Sequence, residues 1–126
     1  MGYELNEYQK KALAPIRILV CGGRDFKDQQ YFNDCMGGVC EINTTIIQGE
    51  AKGADSMAKQ YARDWGFICE SYPANWAKYG KKAGYLRNKQ MLDEGKPDIV
   101  VAFPGGKGTK MMVELAKKYN IEVREF

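Results

Sequence analysis

The sequence predicts an α/β protein, a Rossmann-like doubly wound three-layer sandwich with a mainly parallel central sheet of about five strands. Short β-rich runs alternate with stretches whose apolar residues recur at helical spacing. Several of those runs stop at glycine-bearing segments, Gly22-Gly23-Arg24-Asp25, residues 49–55 and residues 104–109. Strands separated by helices pair in parallel through right-handed crossovers, and helices then cover both faces of the sheet.

In chain order, Ile16–Cys21 is the first strand, followed by a helix marked by Phe32, Cys35, Met36 and Val39 at i, i+3, i+4, i+7. Thr44–Gln48 is the second strand, and Ala58, Tyr61, Ala62 and Trp65 repeat the helical spacing up to Gly66. Residues 67–72 are a third strand stopped by Pro73, and residues 83–94 read as a helix. Residues 98–103 are the fourth strand, Met112, Leu115, Ala116 and Tyr119 mark another helix, and residues 121–123 form a last short strand. Residues 1–15 are set apart as an N-terminal extension. Leu5, Tyr8 and Ala12 have helical spacing and Pro15 ends the segment, so a short helix docked on the domain or on a partner subunit is expected, with residues 16–126 as one domain.

At 126 residues the chain suits a single domain. No apolar run approaches the roughly 20 residues a membrane span requires. Residues 1–15 lack the apolar core of a secretion signal, and Gly2 is followed by Asn6 where myristoylation wants Ser or Thr, so a cytoplasmic location with no membrane contact is expected. Cys21 and Cys69 fall in strand patterns, Cys35 and Cys40 in a helical one, and all four read as buried reduced thiols. The chain has no histidine, which excludes Ser-His and Cys-His nucleophile systems and His-based metal sites. Neither a metal nor a cofactor is expected. The net charge of +3 is spread among acidic residues rather than gathered in a block, so nucleic acid is not the expected partner.

In a doubly wound sheet the strand-to-helix loops share the carboxyl edge, and ligands bind where strand order reverses. If the first and fourth strands are central neighbours, Gly22, Gly23 and Arg24 flank the same crevice as Pro104, Gly105, Gly106, Gly108 and Thr109, with Gly49, Gly53, Ala54 and Asp55 beside it. Glycines there let backbone N–H groups approach an anion, and the next helix presents its positive end. Glycines after strands also serve simply as tight turns, and that reading stays open for each loop taken singly. The spacing is neither a Walker loop nor G-x-G-x-x-G, which disfavours ATP-driven phosphoryl transfer. Thr109 is expected to cap the last helix and to donate to a phosphate; Asp55 is expected to cap the second helix or to contact a ribose.

Residues 73–88 mix aromatics, amides and cations. Trp76 or Tyr79 is a candidate to stack on a base, although Trp76 also fits a lid packed on the sheet. Arg87, with Asn88 beside it, is a candidate phosphate clamp, while Lys78, Lys81 and Lys82 read as a solvated face. A micromolar ligand needs about 8 kcal/mol and one helix end supplies only ~0.3–1 kcal/mol, so several loops must act together.

Gly22-Gly23-Arg24-Asp25, Gly53-Ala54-Asp55, Pro73-Ala74-Asn75-Trp76, Gly80, Ala83-Gly84, Arg87-Asn88, Met91 and Ala102-Phe103-Pro104-Gly105-Gly106-Lys107-Gly108-Thr109 resemble the YspA-type SLOG family, DUF2493 in older naming, over about residues 16–126. The resemblance implies a Rossmann-like fold in a superfamily, shared with LOG proteins and DprA, that binds nucleotides, nucleotide-derived signals or single-stranded DNA. LOG enzymes cleave nucleoside 5′-monophosphates to base and ribose 5-phosphate with an Arg and a Glu, the Glu three residues after the Thr of P-G-G-x-G-T. Arg87 matches the Arg, but Met112 stands at the Glu position and can neither activate water nor steady oxocarbenium charge. Glu114 lies roughly 200° further round the helix, leaving Glu50 and Asp55 as possible substitutes. The expected function is therefore binding of a nucleotide or nucleotide-derived ligand, as a sensor or sequestering protein with no catalytic residue assigned. A LOG-like phosphoribohydrolase is the alternative and DprA-like single-strand binding the third reading. Homodimers among LOG-like relatives imply a homo-oligomer.

Overall fold

The computed structural model describes residues 4–126, apart from the side chains of residues 11–13. Ala12 of the expected N-terminal stripe, and Gly2, accordingly lie outside what is described. Helix α1 spans Glu7–Leu13, and strand β1, Ile16–Cys21, follows. The remaining elements are α2 (Gln29–Gly37), β2 (Thr44–Gln48), α3 (Ala54–Trp65), β3 (Ile68–Ser71), the single turn α4 (Trp76–Tyr79), a 3-10 turn at Gly80–Lys82, α5 (Ala83–Asp93), β4 (Ile99–Ala102), α6 (Lys107–Lys118) and β5 (Glu122–Glu125).

The five strands form one sheet in the order β3-β2-β1-β4-β5, and every pairing is parallel. β1 and β4 are therefore neighbours, Val20 opposite Val101 and Cys21 opposite Ala102, and the strand order reverses between them. Alternation along the central strands sends side chains into two cores. Ile18, Val20, Ile46 and Val101 pack with Phe32, Met36, Ala58 and Tyr61 of α2 and α3 on one face. Leu19, Ile47 and Val100 pack with Met91 and Leu92 of α5 and Met112, Val113 and Ala116 of α6 on the other. Helices on both faces make this a Rossmann-like doubly wound sandwich. Among the described residues no helix is long and apolar enough to cross a membrane.

Helix boundaries differ from the expected ones where glycine decides them. α2 stops at Gly37, so Cys40 lies beyond the helix rather than inside it. All four cysteines are free, but only Cys21 is buried; Cys35, Cys40 and Cys69 are half-buried. Asp55 does not cap α3: Gly53, at φ 75°, takes the cap position, and Asp55 falls inside the first turn. Thr109 likewise lies inside α6, whose cap is Gly106. At Gly53 the chain enters α3 earlier because glycine adopts the positive φ of the junction; Gly106, at φ −95°, carries no such requirement.

Candidate functional site

The loops after β1, β2 and β4 are sewn together at the carboxyl edge. The Gly23 N–H donates to the Pro104 carbonyl at 2.9 Å, and the Gly23 carbonyl accepts from the Ala54 N–H at 3.3 Å. This approach requires glycine. A Cβ at Gly22 would stand 2.5 Å from that of Ala54, and one at Gly53, already at positive φ, would run into the carbonyls of Gly23 and Arg24. Beneath them Phe103 stacks on Phe32 at 4.6 Å and on Phe26 at 5.2 Å between ring centroids, which anchors the β4–α6 loop.

Above this seam lies a cavity of about 470 Å³, within the size range of small-molecule sites. Of the expected site residues, Gly22, Gly23, Arg24, Asp55, Trp76, Arg87, Asn88, Gly106, Gly108 and Thr109 line it. Gly49 lies in an adjoining cleft of about 510 Å³ that shares Arg24, Ala51, Trp76 and Arg87 with the cavity. Pro104 and Gly105 border shallower clefts on the outer side of their loop. Gly53 and Ala54 form the seam beneath, Ala54 fully buried. Tyr79 is not brought to the cavity; its ring is faced by the Lys78 Nζ at 5.1 Å.

The glycines of α6's first turn stand in open space. A Cβ at Gly106 or Gly108 would meet nothing within 4 Å, so neither is a packing requirement. Gly106 has no side chain to cap α6, and the first turn carries no acidic residue. Its first-turn N–H groups and positive dipole end therefore have no side-chain cap and no acidic side chain beside them.

Arg87 reaches across the cavity from α5. Its Nη1 donates to the Gly49 carbonyl and its Nε to the Asn88 Oδ1 at 3.2 Å. Asn88 in turn donates to the Gly108 carbonyl at 3.4 Å, tying α5 to the start of α6. Burial pulls the Arg87 guanidinium below its ordinary value, opposed by Asp55 and reinforced by Arg24. The Arg24 guanidinium lies over the Trp76 ring at 5.8 Å, and the ring's edge packs near Gly84. Neither Arg24 nor Arg87 makes an ion pair among the described residues.

Three carboxylates were in question. Asp55 lines the cavity, its Oδ2 accepting from the N–H groups of Gly49 at 3.1 Å and Ala51 at 3.2 Å, and burial raises its carboxyl above the ordinary range. Glu50 sits at φ 60° on the adjoining cleft, engaged by Gln48 and by Lys59, each at 3.1 Å. Hydrogen bonds from Ser71, Gln48 and Lys59 push its carboxyl down to about 2. Glu114 borders a different cleft, and Met112 is wholly buried in the core. Cys21 also borders the cavity, but burial pushes its thiol up to about 12, so it is no nucleophile at neutral pH.

Tyr85, Lys81 and Lys107 join the lining without having been expected there. Lys107 was inside the glycine-rich segment, and its position at the head of α6 could have been read directly. For Tyr85 the signal is the α5 stripe of Gly84, Arg87, Asn88 and Met91 at i, i+3, i+4, i+7, which turns that face and its flank to the cavity.

Residues 16–79 match the model of the YspA, cpYpsA-related SLOG family, slightly more than half of the chain. The chain is also 34% identical over 122 residues, 87% of its own length and 95% of the relative's, to a protein described as Gene 61 protein of Mycobacterium phage D29. The chain belongs to the YspA, cpYpsA-related SLOG family. The SLOG match spans the loops after β1 and β2 and ends at Tyr79, short of Arg87 and the β4–α6 loop. A SLOG member with a Rossmann-like fold points to a nucleotide-related function.

Proposed function

We propose that the chain binds a nucleotide or nucleotide-derived anion in the cavity between the β1–α2 and β4–α6 loops, as a sensor or sequestering protein. One observation carries the reading: Arg24 and Arg87, neither in an ion pair, line the same cavity as the uncapped first turn of α6. Cations held outside any ion pair favour an anionic ligand, and phosphate accepts paired donors from guanidinium groups. The backbone N–H groups of Gly106 and Gly108 would hold the phosphate, Arg87 would pair with it, and an aromatic side chain would cover the base. Trp76 already carries Arg24 on its face, so Tyr85 is the freer platform.

A Gly106→Val variant tests this. The first added carbon meets nothing within 4 Å in the protein, and the branched side chain would stand in the space assigned to the anion. Calorimetric titration of AMP, ADP and their guanine counterparts is expected to give binding to the wild type and none to the variant, at unchanged melting temperature. Undiminished affinity in the variant overturns the assignment.

The phosphoribohydrolase reading retains one supporting observation, that Asp55 and Arg87 line one cavity. Asp55 already accepts two backbone N–H groups, Glu50 is engaged elsewhere, and Met112 contributes no carboxylate. Binding without turnover is the better supported function.

A further inference from the structure

We propose that the cavity is built for a diphosphate rather than a single phosphate, an inference that rests on the nucleotide reading above. Four cationic side chains, Arg24, Lys81, Arg87 and Lys107, line the cavity against the carboxylate of Asp55; the adjoining cleft adds Lys52 against Asp25 and a Glu50 already paired with Lys59, so the cationic excess stands. The four cavity cations arrive from separate segments: the β1–α2 loop, the turn before α5, α5 itself and the first turn of α6. None of the four forms an ion pair among the described residues. A phosphate monoester brings about −1.5 to −2 charge at neutral pH, which leaves part of that excess uncompensated. A second phosphoryl group adds about one more negative charge and further acceptor oxygens.

Three of the cations fall into two stations, and Lys81 lines the cavity from the turn before α5. Lys107 stands with Gly106 and Gly108 at the head of α6 and does not reach the adjoining cleft. Arg24 and Arg87 border both the cavity and that cleft, one stacked on Trp76 and the other held at the Gly49 carbonyl. One phosphoryl group at each station, joined through a bridging oxygen, engages both walls. The ligand class is thus a nucleoside diphosphate or a nucleotide conjugate linked through diphosphate.

The test is calorimetric titration of the full chain with inorganic phosphate, pyrophosphate and tripolyphosphate at matched ionic strength, with AMP and ADP in parallel. Pyrophosphate is expected to bind at least ~10-fold more tightly than phosphate, with tripolyphosphate within about 3-fold of pyrophosphate. Arg24→Ala and Lys107→Ala, each at one station, are expected to reduce the pyrophosphate preference to below about 3-fold. Equal affinities for phosphate and pyrophosphate, with AMP still bound, overturn the diphosphate inference and leave the nucleotide reading standing. A further comparable gain with tripolyphosphate means unspecific charge attraction and also overturns it. Failure of all five compounds to bind overturns both.

Discussion

A methyl group at Gly22 would stand 2.5 Å from the Cβ of Ala54 and 3.0 Å from that of Phe103, whereas one at Gly108 would meet nothing within 4 Å. The two glycines therefore answer to different demands, loop packing for Gly22 and, in the proposed site, access for Gly108. Gly22→Ala is expected to lose about 1–3 kcal/mol through overpacking. Gly108→Ala, inside α6, is expected to gain up to about 0.5–1 kcal/mol from helix propensity while weakening nucleotide binding. Urea unfolding and calorimetric titration of both variants check this, and full affinity in Gly108→Ala would contradict the access role. Glu50 gives a pH signature at the same scale. Its carboxyl is held at about 2 in the folded chain against 4.5 without partners, so its contribution is present above 4.5 and fades as pH falls towards 2. Glu50→Gln is expected to flatten that part of the acid limb in melting temperatures recorded from pH 7 to pH 2. An unchanged acid limb would show that the Ser71, Gln48 and Lys59 contacts do not stabilise the fold.

At the scale of elements, the central strands were legible because burial on both faces leaves continuous β-branched runs, as in Ile16–Cys21 and Thr44–Gln48, each ended by glycine. The edge strands were less sharply bounded. β3 exposes Ile68 and β5 is mostly charged, so their ends follow pairing with β2 and β4 rather than any pattern of their own. Helix entry was misread at Asp55 and Thr109 because side-chain capping is a local signal. At Gly53 the cap instead follows from how closely the loops after β1 and β2 approach each other, which depends on the assembled sheet, whereas Gly106 caps α6 in open space. Gly22, Gly23, Arg24 and the β4–α6 loop flank one crevice as expected, because β1 and β4 are neighbours and strand order fixes which loops meet. Tyr79 does not: Trp76 at the start of α4 and Lys81 of the following turn line the cavity, while the Tyr79 ring is faced by Lys78 and Tyr85 of α5 joins the lining instead.

For the whole molecule, a parallel sheet with β1 beside β4 places three glycine-bearing loops on one edge and closes them with α5, which no single loop could do. The cavity that results is cationic and holds two arginines that make no ion pair among the described residues, while Met112 lies in the core and off the cavity wall. The measurement that tests this account most directly mixes the purified chain with a nucleotide panel near stoichiometry, then analyses bound and free fractions by chromatography with mass detection. Intact nucleotide retained on the protein is the expected result. Free base and ribose 5-phosphate accumulating beyond one equivalent would contradict it and make the chain a phosphoribohydrolase.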